Sequence, residues 1–182
     1  MKKIAIYLLP FFLFISCKDD LSIDISSKKI SEKKINIIIT TNFPENTIFS
    51  ISAERIYKRK DNTDYYGGVH YYSSEYGVKN GLVEFTLNIN DNEWIKDYNQ
   101  HKEYITKKFP SNKEFTEIDL NSIKDSIEVS VVYSPEYLFN QKNNVLEILG
   151  EKGENIKGKG TIKIDGIKMF TKSIKIYSKF EQ

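Results

Sequence analysis

The sequence predicts a mainly β protein, built as an antiparallel β-sandwich with one or two short helices inserted between strands. Seven segments are rich in β-branched and aromatic residues and alternate between apolar and polar positions, as half-buried strands do. Short turn-forming segments separate most of them. Strands do not alternate regularly with helices, so a parallel α/β sheet is not expected.

The predicted strands differ in how clearly the sequence marks them. Residues 127–133 show the cleanest alternation, and Asn80-Gly81 is a strong type I′ hairpin signal. That turn predicts that residues 82–89 return alongside residues 69–76. The seven predicted strands are residues 34–40, 47–55, 69–76, 82–89, 127–133, 161–165 and 169–180.

Two segments have helical rather than strand spacing. Asn90, with Glu93 three residues later, forms a capping-box pattern, and Pro110 marks the end of this helix. Ser134-Pro135 is typical of the start of a second short helix, which is predicted to reach Leu149. The apolar stripe predicted for the first helix consists of Trp94, Tyr98, His101, Ile105 and Phe109.

The N-terminal residues have the pattern of a secretion signal. Two lysines precede an apolar run over residues 4–15, which matches a signal-peptide core and is too short to span a bilayer. The run is followed by Ser16 and by Cys17, the only cysteine in the chain. Residues 14–17 resemble a bacterial lipobox. The resemblance implies that residues 1–16 are removed and that Cys17 carries a lipid. Ordinary secretion with a free Cys17 is the alternative.

Three charged residues, Lys18, Asp19 and Asp20, follow the cysteine directly. A lysine before two acidic residues resembles the surface-export signal of outer-membrane lipoproteins. This implies an outward-facing lipoprotein anchored in the outer membrane, and a lipoprotein on the periplasmic face is the alternative. Residues 17–33 lack a sustained period and are predicted to be a lipidated flexible tether, with a single β-sandwich domain over residues 34–182.

Three further stretches, residues 41–47, 78–85 and 150–158, are similar to those of small extracytoplasmic bacterial β-sandwich lipoproteins without assigned activity. The similarity covers much of residues 34–180. It carries no function with it. The predicted sandwich is of Ig-like or transthyretin-like type.

Composition excludes some classes of partner and some sources of stability. Removing residues 1–16 leaves 166 residues with 25 basic and 25 acidic side chains, so no net positive field would attract nucleic acid. With Cys17 acylated no thiol remains for a disulfide, and the domain must be stabilised by its core.

No sequence motif indicates catalysis. Residues 153–160 approach a phosphate-binding loop, but Gly160 stands where the Mg²⁺-binding hydroxyl would be. The two histidines, His70 and His101, lack the neighbours that zinc sites or nucleophilic catalysis require. His101 is instead expected to be half-buried on the first helix. No cofactor is therefore predicted.

Calcium bound by a loop is the one alternative left open for a cofactor. Asp61 and Asp64, and the oxygen-rich residues 88–93, supply potential ligands. Neither group has the spacing or the glycine of an EF-hand loop. Capping and turn formation also explain these residues.

The most suggestive cluster for ligand binding is the tyrosine-rich segment over residues 65–76. Tyrosines beside a glycine pair can form a stacking surface for a glycan or a partner protein. In the simpler interpretation one face of this strand packs on the core and the other is solvated. The candidate ligand surface comprises Tyr65, Tyr66, His70, Tyr72 and Tyr76.

The leading hypothesis is a non-enzymatic binding or scaffolding module, held at the membrane by its lipid and facing a protein or glycan partner. Two alternatives remain open. One is a hydrolase of envelope or host glycans that uses paired carboxylates. The other is an inhibitor or immunity factor that caps an external enzyme or toxin.

Overall fold

The structure, a computed structural model, describes residues 20–60, 62–110, 116–136 and 141–180, with residues 62–70 described by their backbone alone. Within these residues it is mainly β and antiparallel, consistent with the predicted sandwich with short helices. The strands are β1 (Ile23–Ser31), β2 (Lys34–Thr41), β3 (Ile48–Arg59), β4 (Asn62–Gly77), β5 (Leu82–Asn88), β6 (Ile118–Asp119), β7 (Ser126–Tyr133), β8 (Thr161–Ile164) and β9 (Ile167–Tyr177). The helices are α1 (Asp91–Lys108), α2 (Asn143–Leu149) and the single 3₁₀ turn Leu120–Ser122.

The strands form two sheets. The smaller sheet has the order β1-β2-β5, and the larger has the order β4-β3-β7-β9-β8, with the short β6 also paired to β3. Alternate residues of β2, β5, β3 and β7 point into the space between the sheets, because successive side chains of a strand point to opposite faces. These residues form the main core, in which Ile37, Ile51 and Val129 are fully buried.

The prediction of a flexible tether over residues 17–33 is wrong from Ile23 onward. β1 pairs with β2 along almost its whole length, from Ile23 opposite Thr41 to Ser31 opposite Lys34. β1 is an edge strand whose side chains after Ile25 are solvent-exposed, so it lacks the apolar alternation that marks half-buried strands. Backbone pairing makes it a strand, and the folded domain therefore begins near Asp20.

The Asn80-Gly81 turn forms, but the predicted pairing across it does not. Both residues have positive φ, 51° and 69°, and Lys79 bridges to Leu82. Beyond that bridge, β5 pairs with β2 and β4 pairs with β3, so the turn connects the two sheets. Buried Val78 explains the separation, because its backbone exchanges hydrogen bonds with Asn46 and Thr47 in the β2–β3 connection before the turn begins.

Helix α1 confirms the prediction at its N-terminus. The Asn90 side chain accepts a hydrogen bond from Glu93 N at 3.2 Å, as an N-cap residue does, and Asn90 Nδ2 donates to the Glu93 carboxylate at 3.0 Å. Trp94 and Tyr98 are buried in a second small cluster with Tyr57. The stripe is not buried beyond this point, since Phe109 is 48% exposed, and the prediction of a half-buried His101 is wrong because that residue is exposed.

Helix α2 begins at Asn143, so the predicted start at Ser134-Pro135 is wrong. Ser134 and Pro135 are instead buried directly after the end of β7. The predicted end at Leu149 is confirmed, and Gly150 caps the helix with a positive φ of 91°. Among the described residues, no helix has the length and apolar character needed to cross a membrane.

The sandwich has two ends, which we call the entry end and the far end. The entry end carries Asp20 and Leu21, residues 42–46, the Asn80-Gly81 turn, and the segment from α2 to the β8–β9 hairpin. The far end carries the β1–β2 turn, the start of α1 and the end of β9. Strands of eight to twelve residues separate the two ends.

Candidate binding pocket

A buried ion pair fixes helix α1 to the larger sheet at the far end. Arg55 occupies a core-facing position of β3 and its side chain is fully buried, while Asp91 is the first residue of α1 and its side chain is 7% exposed. Arg55 Nε donates to Asp91 Oδ1 at 3.0 Å, and Arg55 Nη2 donates to Oδ2 at 3.2 Å. This two-pronged geometry is the strongest arrangement for an arginine and a carboxylate.

The remaining donors of Arg55 hold two further segments. Nη1 donates to the backbone carbonyl oxygens of Lys124, before β7, and Ser178, after β9, at 2.7 and 2.8 Å. The guanidinium also lies 5.7 Å from the ring centroid of Phe180. One buried side chain therefore joins α1, the start of β7 and the C-terminal segment.

Tyr71 and Trp94 complete the hydrogen bonding of Asp91. The Tyr71 hydroxyl donates to Asp91 Oδ1, and Trp94 Nε1 donates to the same oxygen at 3.0 Å. Burial is the main cause that raises the pKa of Tyr71 well above its usual value, so the hydroxyl stays protonated as a donor. Both carboxylate oxygens of Asp91 are thus hydrogen-bonded within the cluster, which supports α1 against the larger sheet.

Beside this support lies an open cavity of about 470 Å³, termed here the far-end pocket. The lining comes from three places in the chain, namely the β1–β2 hairpin, the β5–α1 junction and the end of β9. The lining residues are Ser27, Lys29, Glu32, Lys33, Ile35, Ile89, Asn90, Asp91, Asn92, Ile176, Tyr177, Ser178 and Lys179.

The far-end pocket has a positive rim over a partly apolar floor. Lys29, Lys33 and Lys179 are exposed around it. The lining carboxylates are Glu32 and Asp91, and the charge of Asp91 is already paired with Arg55. The uncompensated charge is therefore positive, which favours a ligand with carboxylate or phosphate groups. Tyr177, a residue that is 75% exposed, adds a surface on which a planar or sugar ring can stack.

The tyrosine surface predicted from the sequence is divided by the structure. Tyr72 and Tyr76 stack on Phe85 of the smaller sheet, with ring centroids 4.8 and 5.5 Å apart, and their hydroxyls are hydrogen-bonded to each other. Burial is the main cause that raises the pKa of Tyr72 to about 12. These two rings close one side of the core, as in the simpler interpretation. Tyr65, Tyr66 and His70 lie on β4, and their side chains are outside the described residues.

The predicted anchor residues lie mostly before the described chain. Cys17, Lys18 and Asp19 are outside it, whereas the backbone oxygen of Asp20 accepts a hydrogen bond from Asn42 Nδ2 at 2.9 Å.

The predicted calcium ligands have other roles where they are described. Asn90 and Glu93 cap α1, and Asp91 pairs with Arg55. Asp61 and the side chain of Asp64 lie outside the description. No group of three or more His, Cys, Asp or Glu side chains suited to a metal occurs within the described part of the chain.

One pair of carboxylates lies on the outer face of the larger sheet. Glu54 of β3 is directly opposite Glu128 of β7, and Lys175 of β9 is opposite Glu128. Ser52 Oγ lies 3.4 Å from Glu54 Oε1. Glycoside hydrolysis needs two carboxylates on either side of a bound sugar. This pair instead projects side by side from an open sheet face, so the far-end pocket is the better candidate site.

Sequence reasoning missed the Arg55 cluster and the far-end pocket. The signal for the cluster was the alternation along β3, which places Arg55 on the same core-facing side as Phe49, Ile51 and Ala53. An arginine buried at such a position requires a buried partner. The pocket had no such signal, since its lining combines residues far apart in the sequence.

Comparison of the chain with protein families, with curated proteins and with solved structures finds no match in any of the three.

Proposed function

We propose that this chain is a lipoprotein anchored through Cys17 to the outer membrane, facing outward, and that its β-sandwich is a binding or scaffolding module without catalytic activity. The lipobox-like residues 14–17 and the Lys18-Asp19-Asp20 sequence support the anchor. The sandwich supports the binding role, because it holds an open pocket on a rigid frame.

The observation that carries the binding role is the far-end pocket. Its three lysines surround a floor containing Ile35, Ile89 and Ile176, and the buried Arg55–Asp91 pair fixes one wall. A rigid wall limits the entropy lost on binding. We propose a ligand that carries carboxylate or phosphate groups, displayed on an envelope glycan or on a partner protein.

The test is photo-crosslinking on intact cells. A photoreactive amino acid replaces Ser27, an exposed residue of the pocket lining, in the full-length tagged chain. The matched control places it at Ser173, which is exposed on the outer face of β9. A product seen from position 27 and absent from position 173 supports the pocket. Protease and glycosidase digestion of that product distinguishes a protein from a glycan.

The role of the positive rim in ligand binding is tested by neutralising two of its lysines. Lys33→Gln with Lys179→Gln is expected to abolish the crosslink from position 27, because both lysines lie on the rim. Lys96→Gln with Lys107→Gln, at exposed positions of α1 outside the pocket lining, is the control and is expected to leave the crosslink unchanged. An unchanged crosslink in the pocket variant would refute the pocket proposal. A turnover activity lost on changing one polar residue would refute the non-enzymatic role.

A further inference from the structure

The described chain is fixed to the sandwich from its first residues. Asn42 Nδ2 donates to the backbone oxygen of Asp20, and Leu21 N donates to the backbone oxygen of Lys157 at 2.8 Å. Ser22 N donates to Asn42 Oδ1 at 2.8 Å. At Gly158 a Cβ atom would collide with the Leu21 carbonyl oxygen, so the two segments are in close contact. Asp20 is thus part of the folded domain.

Very little chain separates Asp20 from the acylation site. Cys17 precedes Asp20 by three residues. Consecutive Cα atoms are about 3.8 Å apart, so three steps span at most about 11 Å. If Cys17 is acylated, as proposed above, this link cannot lift the domain clear of the lipid headgroups.

The entry end has an apolar surface that suits a position beside the lipid headgroups. A groove of about 330 Å³ begins at Leu21 and is lined partly by Pro44 and Ile148, and Ile148 is 42% exposed. Exposed apolar side chains enter the headgroup–acyl boundary when they are held beside it.

The β8–β9 hairpin extends the same end. Tyr133, the last residue of β7, pairs with Phe170, so β9 residues before Phe170 project past β7 and pair only with β8 among the described strands. On this projection Ile162 and Ile164 are 39% and 46% exposed. Residues 141–170 contain six lysines and four acidic residues, whereas the chain after residue 16 is neutral, so this segment also favours an anionic lipid surface.

We infer that the entry end, through Ile148 and the β8–β9 hairpin, docks on the surface of the membrane that holds the Cys17 acyl chains. The inference rests on the proposed acylation of Cys17. Its consequence is a fixed orientation. Strands of eight to twelve residues hold the far-end pocket about 25–40 Å from the lipid, at about 3.3 Å per residue.

The test uses the full-length lipidated protein in vesicles of phosphatidylcholine and phosphatidylglycerol that contain a phosphatidylcholine spin-labelled on its acyl chain. A fluorophore is attached to a new cysteine in one of three variants, Ile148→Cys, Ile164→Cys or Ile30→Cys. Ile30 is the matched control, because it is an isoleucine at the far end that is 58% exposed. Mass spectrometry of each protein determines whether Cys17 is acylated.

We expect quenching at position 148 or 164 to be at least about twofold stronger than at position 30, since docked apolar side chains lie about 5–10 Å deep at the interface. If one entry-end variant fails to fold, the other makes the same test. Equal quenching at all three positions, or stronger quenching at position 30, with Cys17 acylated would overturn the docking and leave the anchor intact. An unmodified Cys17 would overturn the anchor, and the docking with it.

Discussion

Replacing Asp91 with asparagine should destabilise the domain more than any change to an exposed charge. Asp91 accepts two hydrogen bonds from the buried guanidinium of Arg55, at 3.0 and 3.2 Å, and further ones from Tyr71 and Trp94. The asparagine keeps the shape but removes the charge, which leaves Arg55 buried with only neutral acceptors. Breaking a buried ion pair in this way typically costs about 3–5 kcal/mol.

That loss is large beside a typical domain stability of about 5–15 kcal/mol. The measurement is urea denaturation followed by circular dichroism. With an m value of about 2 kcal/mol per M, the unfolding midpoint should fall by roughly 2 M. Hydrogen exchange should accelerate first in α1, because Asp91 is its first residue and its ion-paired contact with the larger sheet.

Two further variants isolate the cause. Glu117→Gln removes an ion pair with Lys60 that is shorter, at 2.7 Å, but exposed, and it should leave the midpoint unchanged. Arg55→Met combined with Asp91→Leu removes both charges, and it should be less destabilised than Asp91→Asn because no unpaired charge stays buried. The reasoning fails if Asp91→Asn shifts the midpoint no further than Glu117→Gln does. It also fails if the double variant, Arg55→Met with Asp91→Leu, is less stable than Asp91→Asn.

Three other predictions concern the core, a turn and the anchor. Burial raises the pKa of Tyr133 from 10.0 to about 12. Because this tyrosine ionises at lower pH in the unfolded chain than in the folded one, the free energy of unfolding should fall by about 2 kcal/mol as the pH rises from about 10 to about 12. Tyr133→Phe should reduce that loss of stability at alkaline pH. It should also raise the free energy of unfolding by about 1 kcal/mol at neutral pH, because the Tyr133 hydroxyl is buried without a partner among the described residues. Urea titrations at several pH values measure both effects. Gly81→Ala should cost about 1–2 kcal/mol, since φ is 69° and the new Cβ would lie 2.9 Å from Thr41 O, and its urea midpoint measures this. Cys17→Ser should leave the protein unprocessed or soluble and Lys18→Asp should leave it lipidated but mislocalised, as fatty-acid labelling and antibody labelling of intact cells can show.

Each of these predictions has an outcome that contradicts it. Tyr133→Phe must not lose stability with pH as steeply as the parent chain. Gly77→Ala is the control for Gly81→Ala, because a Cβ at Gly77 meets nothing within 4 Å, and equal costs at the two glycines would disprove the turn argument. Surface labelling and acylation of both Cys17→Ser and Lys18→Asp at parental levels would disprove the proposed anchor.

Elements with strong local signals could be predicted from the sequence. The N-cap bond between Asn90 and Glu93 and the positive-φ turn at Asn80-Gly81 are local geometries that a few neighbouring residues impose, and both are present. The apolar alternation of residues 127–133 likewise predicted β7, because a two-sided environment imposes a period of two on any half-buried strand.

The remaining features depend on contacts between residues far apart in the sequence. β1 is a strand because β2 offers it a free edge, although most of its side chains stay in water. β5 pairs with β2 rather than with its neighbour β4, because a tight turn fixes a reversal of the chain and not the choice of partner strand. The Arg55–Asp91 pair and the far-end pocket join residues from distant parts of the chain, and no local pattern specifies such a meeting. Local interactions choose the elements, and burial of their apolar faces chooses how those elements assemble.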